Sequence, residues 1–161
     1  MNTKNARELI TIGRTLAICF EDEKSLNNVL AKVDTGAYLG AIWATNIHEN
    51  EGVLYFTLFG AKSVYYTGEE HSTTDYKTTT VENSFGQSEN RYVVRLPIKP
   101  YLYAGSYEDM RFSLCDRSMK RYPILLGRDY IRGRFLVDVR LNDEHLVRDD
   151  EEKTNTRIDE E

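Results

Sequence analysis

Long apolar runs, clustered histidines and paired cysteines are all missing from this chain of 161 residues. A helix that crosses a bilayer needs about 20 consecutive apolar residues, and no stretch approaches that length, so a helical membrane protein is excluded. The opening Met1-Asn2-Thr3-Lys4-Asn5 has no apolar core of the kind a signal peptide carries, and the expected location is the cytoplasm. The two cysteines, Cys19 and Cys115, stand alone in separate apolar stretches and read as buried thiols, which suits that compartment. His48, His71 and His145 are scattered, and neither His-Glu-x-x-His nor Cys-x-x-Cys occurs, so no metal site is expected. A phosphate-cradling Gly-x-x-x-x-Gly-Lys-Ser/Thr loop is also missing, and no cofactor is expected.

A basic excess is lacking too. The net charge is -5, but residues 143–161 hold nine acidic and three basic side chains, a net of -6. The other 142 residues therefore come to about +1. Such a near-neutral body argues against a general nucleic-acid face, which requires a basic surface. The organisation expected is one folded domain over residues 1–142, followed by an acidic, disordered tail over residues 143–161.

What the chain does contain is many short strand signals separated by turns. Residues 8–14, 15–20 and 29–33 are rich in Ile, Leu, Val and Thr, with a polar turn at 21–24. Apolar runs follow at 41–47 and 52–59. Residues 60–80, crowded with Ser, Thr and Glu, read as an insertion loop or an exposed hairpin. A strand–turn–strand unit spans 79–98 around Ser84-Phe85-Gly86-Gln87-Ser88-Glu89-Asn90, and further strands are expected at 108–114 and 122–126. One or two helical turns fit 127–133, and a closing strand fits 134–139. The sum is a mainly β protein, a small closed barrel with one short C-terminal helix.

Two segments point to chemistry. Lys32-Val33-Asp34-Thr35-Gly36-Ala37 brings an apolar strand into Asp-Thr-Gly, and Ile124-Leu125-Leu126-Gly127-Arg128 is an apolar run closed by Gly-Arg. Hydrolysing a peptide without metal or covalent nucleophile requires a base to activate water and an acid to protonate the leaving nitrogen. Two carboxylates sharing one proton do both, because like charges a few ångströms apart cannot both ionise. Asp34 is the candidate carboxylate. Thr35 offers a hydroxyl to stiffen the loop, Gly36 lets the backbone pass close to a peptide strand, and Ala37 is small enough to sit beneath one. Leu125, Leu126, Gly127 and Arg128 form the supporting run. Only one Asp-Thr-Gly is present, so two carboxylates require two copies of the chain.

Together these segments resemble the retropepsin-like aspartic peptidases, in particular the bacterial branch long labelled "ATP-dependent zinc protease". The resemblance covers most of residues 10–140. It rests on the Asp34 motif, on Ser84 to Gly86 followed by Arg91-Tyr92-Val93-Val94, on Cys115-Asp116-Arg117-Ser118-Met119 leading into Pro123 to Arg128, and on Phe135-Leu136-Val137-Asp138. It implies a twofold homodimer with one aspartate per subunit at a shared site. It implies a flap hairpin closing over the substrate at residues 81–95, with Ser84, Phe85 and Gly86 at the tip and Arg91 at its flank. It implies a protein or peptide substrate of acidic, tail-like character, and a functional link to ATP-grasp ligases. The zinc and the ATP of the label find no motif here. Many bacterial members carry Arg after Asp-Thr-Gly-Ala and His five residues later; here Tyr38 and Trp43 stand there. Tyr38 is therefore placed among the substrate-binding residues. Retroviral members pair the Arg of Gly-Arg with an acidic residue at the Tyr38 position. Arg128 is thus expected to find another partner, Asp116 or Asp129, since an unpaired buried guanidinium is costly. A non-catalytic peptide-binding module on the same fold and a zinc-dependent peptidase are the rival functions.

Overall fold

The computed structural model describes residues 8–21, 26 and 28–146. Among the described residues are eleven strands and a short helix, with a further helical turn at 144–146: β1 Ile10–Ile12, β2 Thr15–Phe20, β3 Val29–Val33, β4 Gly40–Asn50, β5 Val53–Leu58, β6 Glu70–Thr73, β7 Tyr76–Glu82, β8 Ser88–Pro100, β9 Glu108–Cys115, β10 Ile124–Leu126, α1 Arg128–Ile131 and β11 Phe135–Val137. Six strands close into a ring in the order β3, β2, β8, β9, β4, β10, with β10 hydrogen-bonded to both β4 and β3. A closed ring leaves its members no bare edges. β5 and β6 extend the sheet from β4, and β7 pairs with β8.

Alternation along the strands fills the ring. Ile18, Val29, Ile42, Val94, Ile98, Phe112, Ile124 and Leu126 are almost wholly buried inside it. β3 and β10 are buried at nearly every position, with Lys32 the one exposed residue of β3. β1 and β11 form a separate two-stranded parallel sheet, pairing Ile10 with Phe135 and Ile12 with Val137. Cys19 and Cys115 are buried, and burial raises the pKa of each thiol.

Three segments differ from the sequence reading. Strands expected at 8–14 and 134–139 are limited to Ile10–Ile12 and Phe135–Val137, where the two pair with each other. Residues 60–80 hold both β6 and the start of β7. These strands do not pair with each other but extend away from β5 and β8 respectively. Both faces there are largely exposed, so the sequence carries little of the apolar alternation that marks a strand. The polar turn at 21–24 lies, beyond Glu21, outside the described residues. At the far end, Asp143 and Glu144, placed by sequence at the start of the acidic tail, fold onto the body. The Ala17 amide donates to Asp143 Oδ2 at 2.9 Å, and the Asp143 amide donates to Thr15 Oγ1 at 2.8 Å. Residues 147–161 lie outside the described residues.

Candidate active site

Residues 34–39 join β3 to β4, and β10 lies between those two strands. The loop therefore straddles the end of β10 and is held on both sides. The Asp34 amide donates to the Leu126 carbonyl at 2.9 Å. The amides of Arg128 and Asp129 donate to the carbonyls of Ala37 and Tyr38 at 2.8 and 2.9 Å. Gly127 makes this closeness possible: a Cβ there would lie 2.5 Å from the Tyr38 carbonyl oxygen. Within the loop, the Gly36 amide donates to Asp34 Oδ1 at 2.9 Å. Lys32 Nζ stands 3.8 Å from Asp34 Oδ2. Thr35 and Gly36 are exposed, so their outer surface is open to a second molecule.

The Gly-Arg segment holds a correction. Arg128 pairs with neither Asp116 nor Asp129. It is exposed, its Nη1 donates to the Thr35 carbonyl at 3.0 Å, and its guanidinium lies 5.9 Å from the Tyr38 ring. An exposed guanidinium keeps its hydration and needs no carboxylate. Asp129 is instead taken by Arg111, whose Nε and Nη2 both donate to Asp129 Oδ2 at 3.2 and 3.1 Å. That bond and charge, with a further contribution from Tyr38, raise the Arg111 pKa. Asp116 accepts from the Ser118 amide and side chain, which hold its carboxyl below the usual range.

The residues paired strand to strand as Lys32, Leu125, Ala41, Ser113, Val93 and Lys77 run from β3 to β7 and share one face. A cavity of about 530 Å³ opens on this face, lined by Tyr38, Leu39, Lys77, Thr79, Arg95 and Arg111 among others. Arg111 and Arg95 were not singled out together by sequence, because they come from strands β9 and β8 and only their pairing, Arg95 opposite Arg111, makes them neighbours.

The hairpin β7–β8 turns at Asn83–Gln87. Asn83 Oδ1 accepts from the amides of Phe85 and Gln87, both at 3.0 Å, and Gly86 adopts φ +76°, which glycine tolerates best. Ser84, Phe85 and Gly86 are exposed, and Phe85 is 87% exposed. Among the described residues no hydrogen bond or ion pair joins this tip to the Asp34 loop. Arg91 lies on the same hairpin, where Glu89 Oε2 holds its Nη2 at 2.9 Å. Asn83→Ala removes two bonds to turn amides at once. The expected result is a loss of about 1–2 kcal/mol confined to the hairpin, seen as faster amide exchange at residues 80–90 with β2 and β3 unchanged.

Among the described residues, no three His, Cys, Asp or Glu side chains converge closely enough to hold a metal ion. The zinc in the label of the resembling family therefore does not fit these residues, and no step is assigned to it.

The family described as "RimB-like: Retropepsin-like aspartic endopeptidase RimB" matches residues 21–144. A curated protein named "Probable alpha-L-glutamate ligase" from Desulfotalea psychrophila (strain LSv54 / DSM 12343) is 27% identical over 124 residues, or 74% of this chain. The chain spans only 26% of that protein's length. The crystal structure of Lpg0085, a protein of unknown function (DUF785) from Legionella pneumophila subsp. pneumophila str. Philadelphia 1, is 26% identical with a TM-score of 0.55. That similarity covers 84% of this chain and 97% of the other.

Proposed function

This chain belongs to the RimB-like family of retropepsin-like aspartic endopeptidases, and from that premise we propose that it hydrolyses peptide bonds as a homodimer. The observation that carries the reading is a single, partly exposed Asp34 in a loop braced by β10, with exposed Thr35 and Gly36 beside it. Two such loops meeting across a twofold axis bring two carboxylates to one water. One acts as base, and the other, protonated, serves as acid toward the leaving nitrogen. The pair titrates as a unit. The loop residues Thr35, Gly36, Ala37 and Tyr38 flank the scissile region, and the β7–β8 hairpin covers an extended substrate held by backbone hydrogen bonds.

The proposed meeting surface has support in the fold. The small β1–β11 sheet pairs with no other strand among the described residues, and it lies among exposed apolar side chains, with Leu136 55% and Val139 67% exposed. Such a patch marks an interaction surface more often than chance. We place the substrate among acidic protein tails. The similarity to a protein named as a glutamate ligase supports a functional link to such an enzyme, in which this domain trims what a ligase extends. The reading as a cytoplasmic, cofactor-independent enzyme belongs to the same proposal.

Dilution tests the shared site. Specific activity on an acidic peptide is expected to fall as enzyme concentration drops through the dimer dissociation constant, in step with the sedimentation coefficient. Constant specific activity in a strictly monomeric sample rejects the mechanism. A peptide-binding module without catalysis is a second reading, favoured by the Lys32 ammonium at 3.8 Å from Asp34, which gives the carboxylate a partner within its own chain. Calorimetric binding of a peptide that survives long incubation intact selects that reading.

A further inference from the structure

Arg91 and Arg95 lie on β8, Arg111 lies on β9 and Arg117 follows β9, and three of the four have a carboxylate. Glu89 holds Arg91 at 2.9 Å, Asp129 holds Arg111 at 3.1 Å, and Asp75 stands 3.8 Å from Arg95. Arg117 has none among the described residues. It follows β9 by two residues, its Nε donates to the Tyr122 carbonyl at 3.0 Å, and its side chain lies against the buried Cys115. The guanidinium is half-buried, and burial pulls its pKa down, with Arg91 adding to the pull and Cys115 and Asp34 opposing it. Arg117 also lines a cavity of about 250 Å³ with Trp43, Lys120, Arg121 and Tyr122. Glu144 is bonded to Tyr122 and Arg121 at that cavity's rim.

A charge partly withdrawn from water with no carboxylate in contact is costly. The Tyr122 carbonyl takes one of the five N–H groups of Arg117, and a carbonyl is a weaker partner than a carboxylate. The cost is offset when the counter-ion arrives with the ligand, and this fixes the ligand's chemistry as anionic and planar enough for a guanidinium fork. We propose that Arg117 is a specificity-determining residue, whose guanidinium takes a carboxylate of the substrate on the sheet face beside Asp34. This rests on the peptidase reading above for its placement. Its sequence neighbours Lys120 and Arg121 differ from it in being exposed.

The test measures binding, so it stands apart from catalysis. Full-length protein carrying Asp34→Asn is titrated with amidated hexaglutamate, amidated hexaglutamine and hexaglutamine with a free C-terminus. Tight binding of the first alone assigns a side-chain carboxylate; binding of the third above the second assigns a terminal one. Arg117→Gln is expected to weaken the carboxylate ligand about 30-fold or more, to leave amidated hexaglutamine within twofold, and Arg117→Lys to restore part of the loss. Equal weakening of all three peptides, or none, overturns the proposal. A measurement on unaltered Arg117 guards against a variant that fails to fold. Phenylglyoxal modification of Arg117, followed by mass spectrometry, must be slowed by hexaglutamate and not by amidated hexaglutamine; absence of that protection also overturns it. If wild-type protein binds hexaglutamate through Arg117 but cleaves no peptide, the peptidase reading fails and the carboxylate site stands.

Discussion

Asp34→Asn is expected to lower peptide cleavage by about 10³-fold or more while the protein stays folded and its assembly unchanged. The magnitude follows from what the group supplies: a positioned acid or base contributes about 10²–10⁴-fold, and in a homodimer the substitution removes both carboxylates together. The fold should tolerate it for specific reasons. Asparagine has the same shape, and its amide oxygen can still accept the Gly36 N–H that Asp34 Oδ1 accepts now. The Asp34 backbone amide keeps its bond to Leu126. The pairing with Lys32 is lost, but at 3.8 Å between half-exposed groups it contributes about 0–1 kcal/mol. Cleavage of a fluorogenic peptide, a thermal melt and sedimentation, measured side by side, separate lost chemistry from lost structure. Full activity in the variant rejects Asp34 as the acting carboxylate.

How much of this was written in the sequence depends on how local each feature is. β3 and the Asp34 loop were legible because an apolar run ends in Asp-Thr-Gly within a few residues. The hairpin turn was legible because Asn83, Ser84 and Gly86 are turn residues in sequence order, and the short helix because Gly127 ends an apolar strand. The closed ring followed from the number and spacing of strands. Features that depend on residues far apart were not legible. Arg111 and Asp129 are 18 positions apart and meet only through the fold, one on β9 and the other in the helix after β10. Arg128 and Thr35, 93 positions apart, bond through a carbonyl, which leaves no charge pattern for sequence to show. The expected acidic partner of Arg128 was wrong on exposure: a guanidinium assumed to be buried turned out to be solvated. Arg117 shows the opposite case, a surface-looking turn residue whose side chain the fold partly buries.

Gly127→Ala is expected to damage both stability and activity, because this position joins the fold to the site. Its backbone is extended, at φ -95° and ψ -178°, a conformation that any residue adopts, so conformational preference is not the obstacle. Space is. The added methyl would lie 2.5 Å from the Tyr38 oxygen, 2.8 Å from the Tyr38 carbon and 2.9 Å from the Leu39 carbon, all backbone atoms with no side-chain freedom to yield. Relief requires the 34–39 loop and the start of α1 to separate. That movement lengthens the Arg128–Ala37 and Asp129–Tyr38 bonds, which hold the loop against the helix. Overpacking of this kind costs about 1–3 kcal/mol, a fall in Tm of roughly 3–10 °C for a domain of this size. Catalysis should fall further than stability accounts for, since a shift of about 1 Å in a reacting group can cost about 10²-fold. Cleavage rates measured well below the Tm of the variant, where it is fully folded, expose that difference. A Gly127→Ala protein with wild-type Tm and wild-type turnover would mean that the contact between this residue and Tyr38 does not set the position of Asp34.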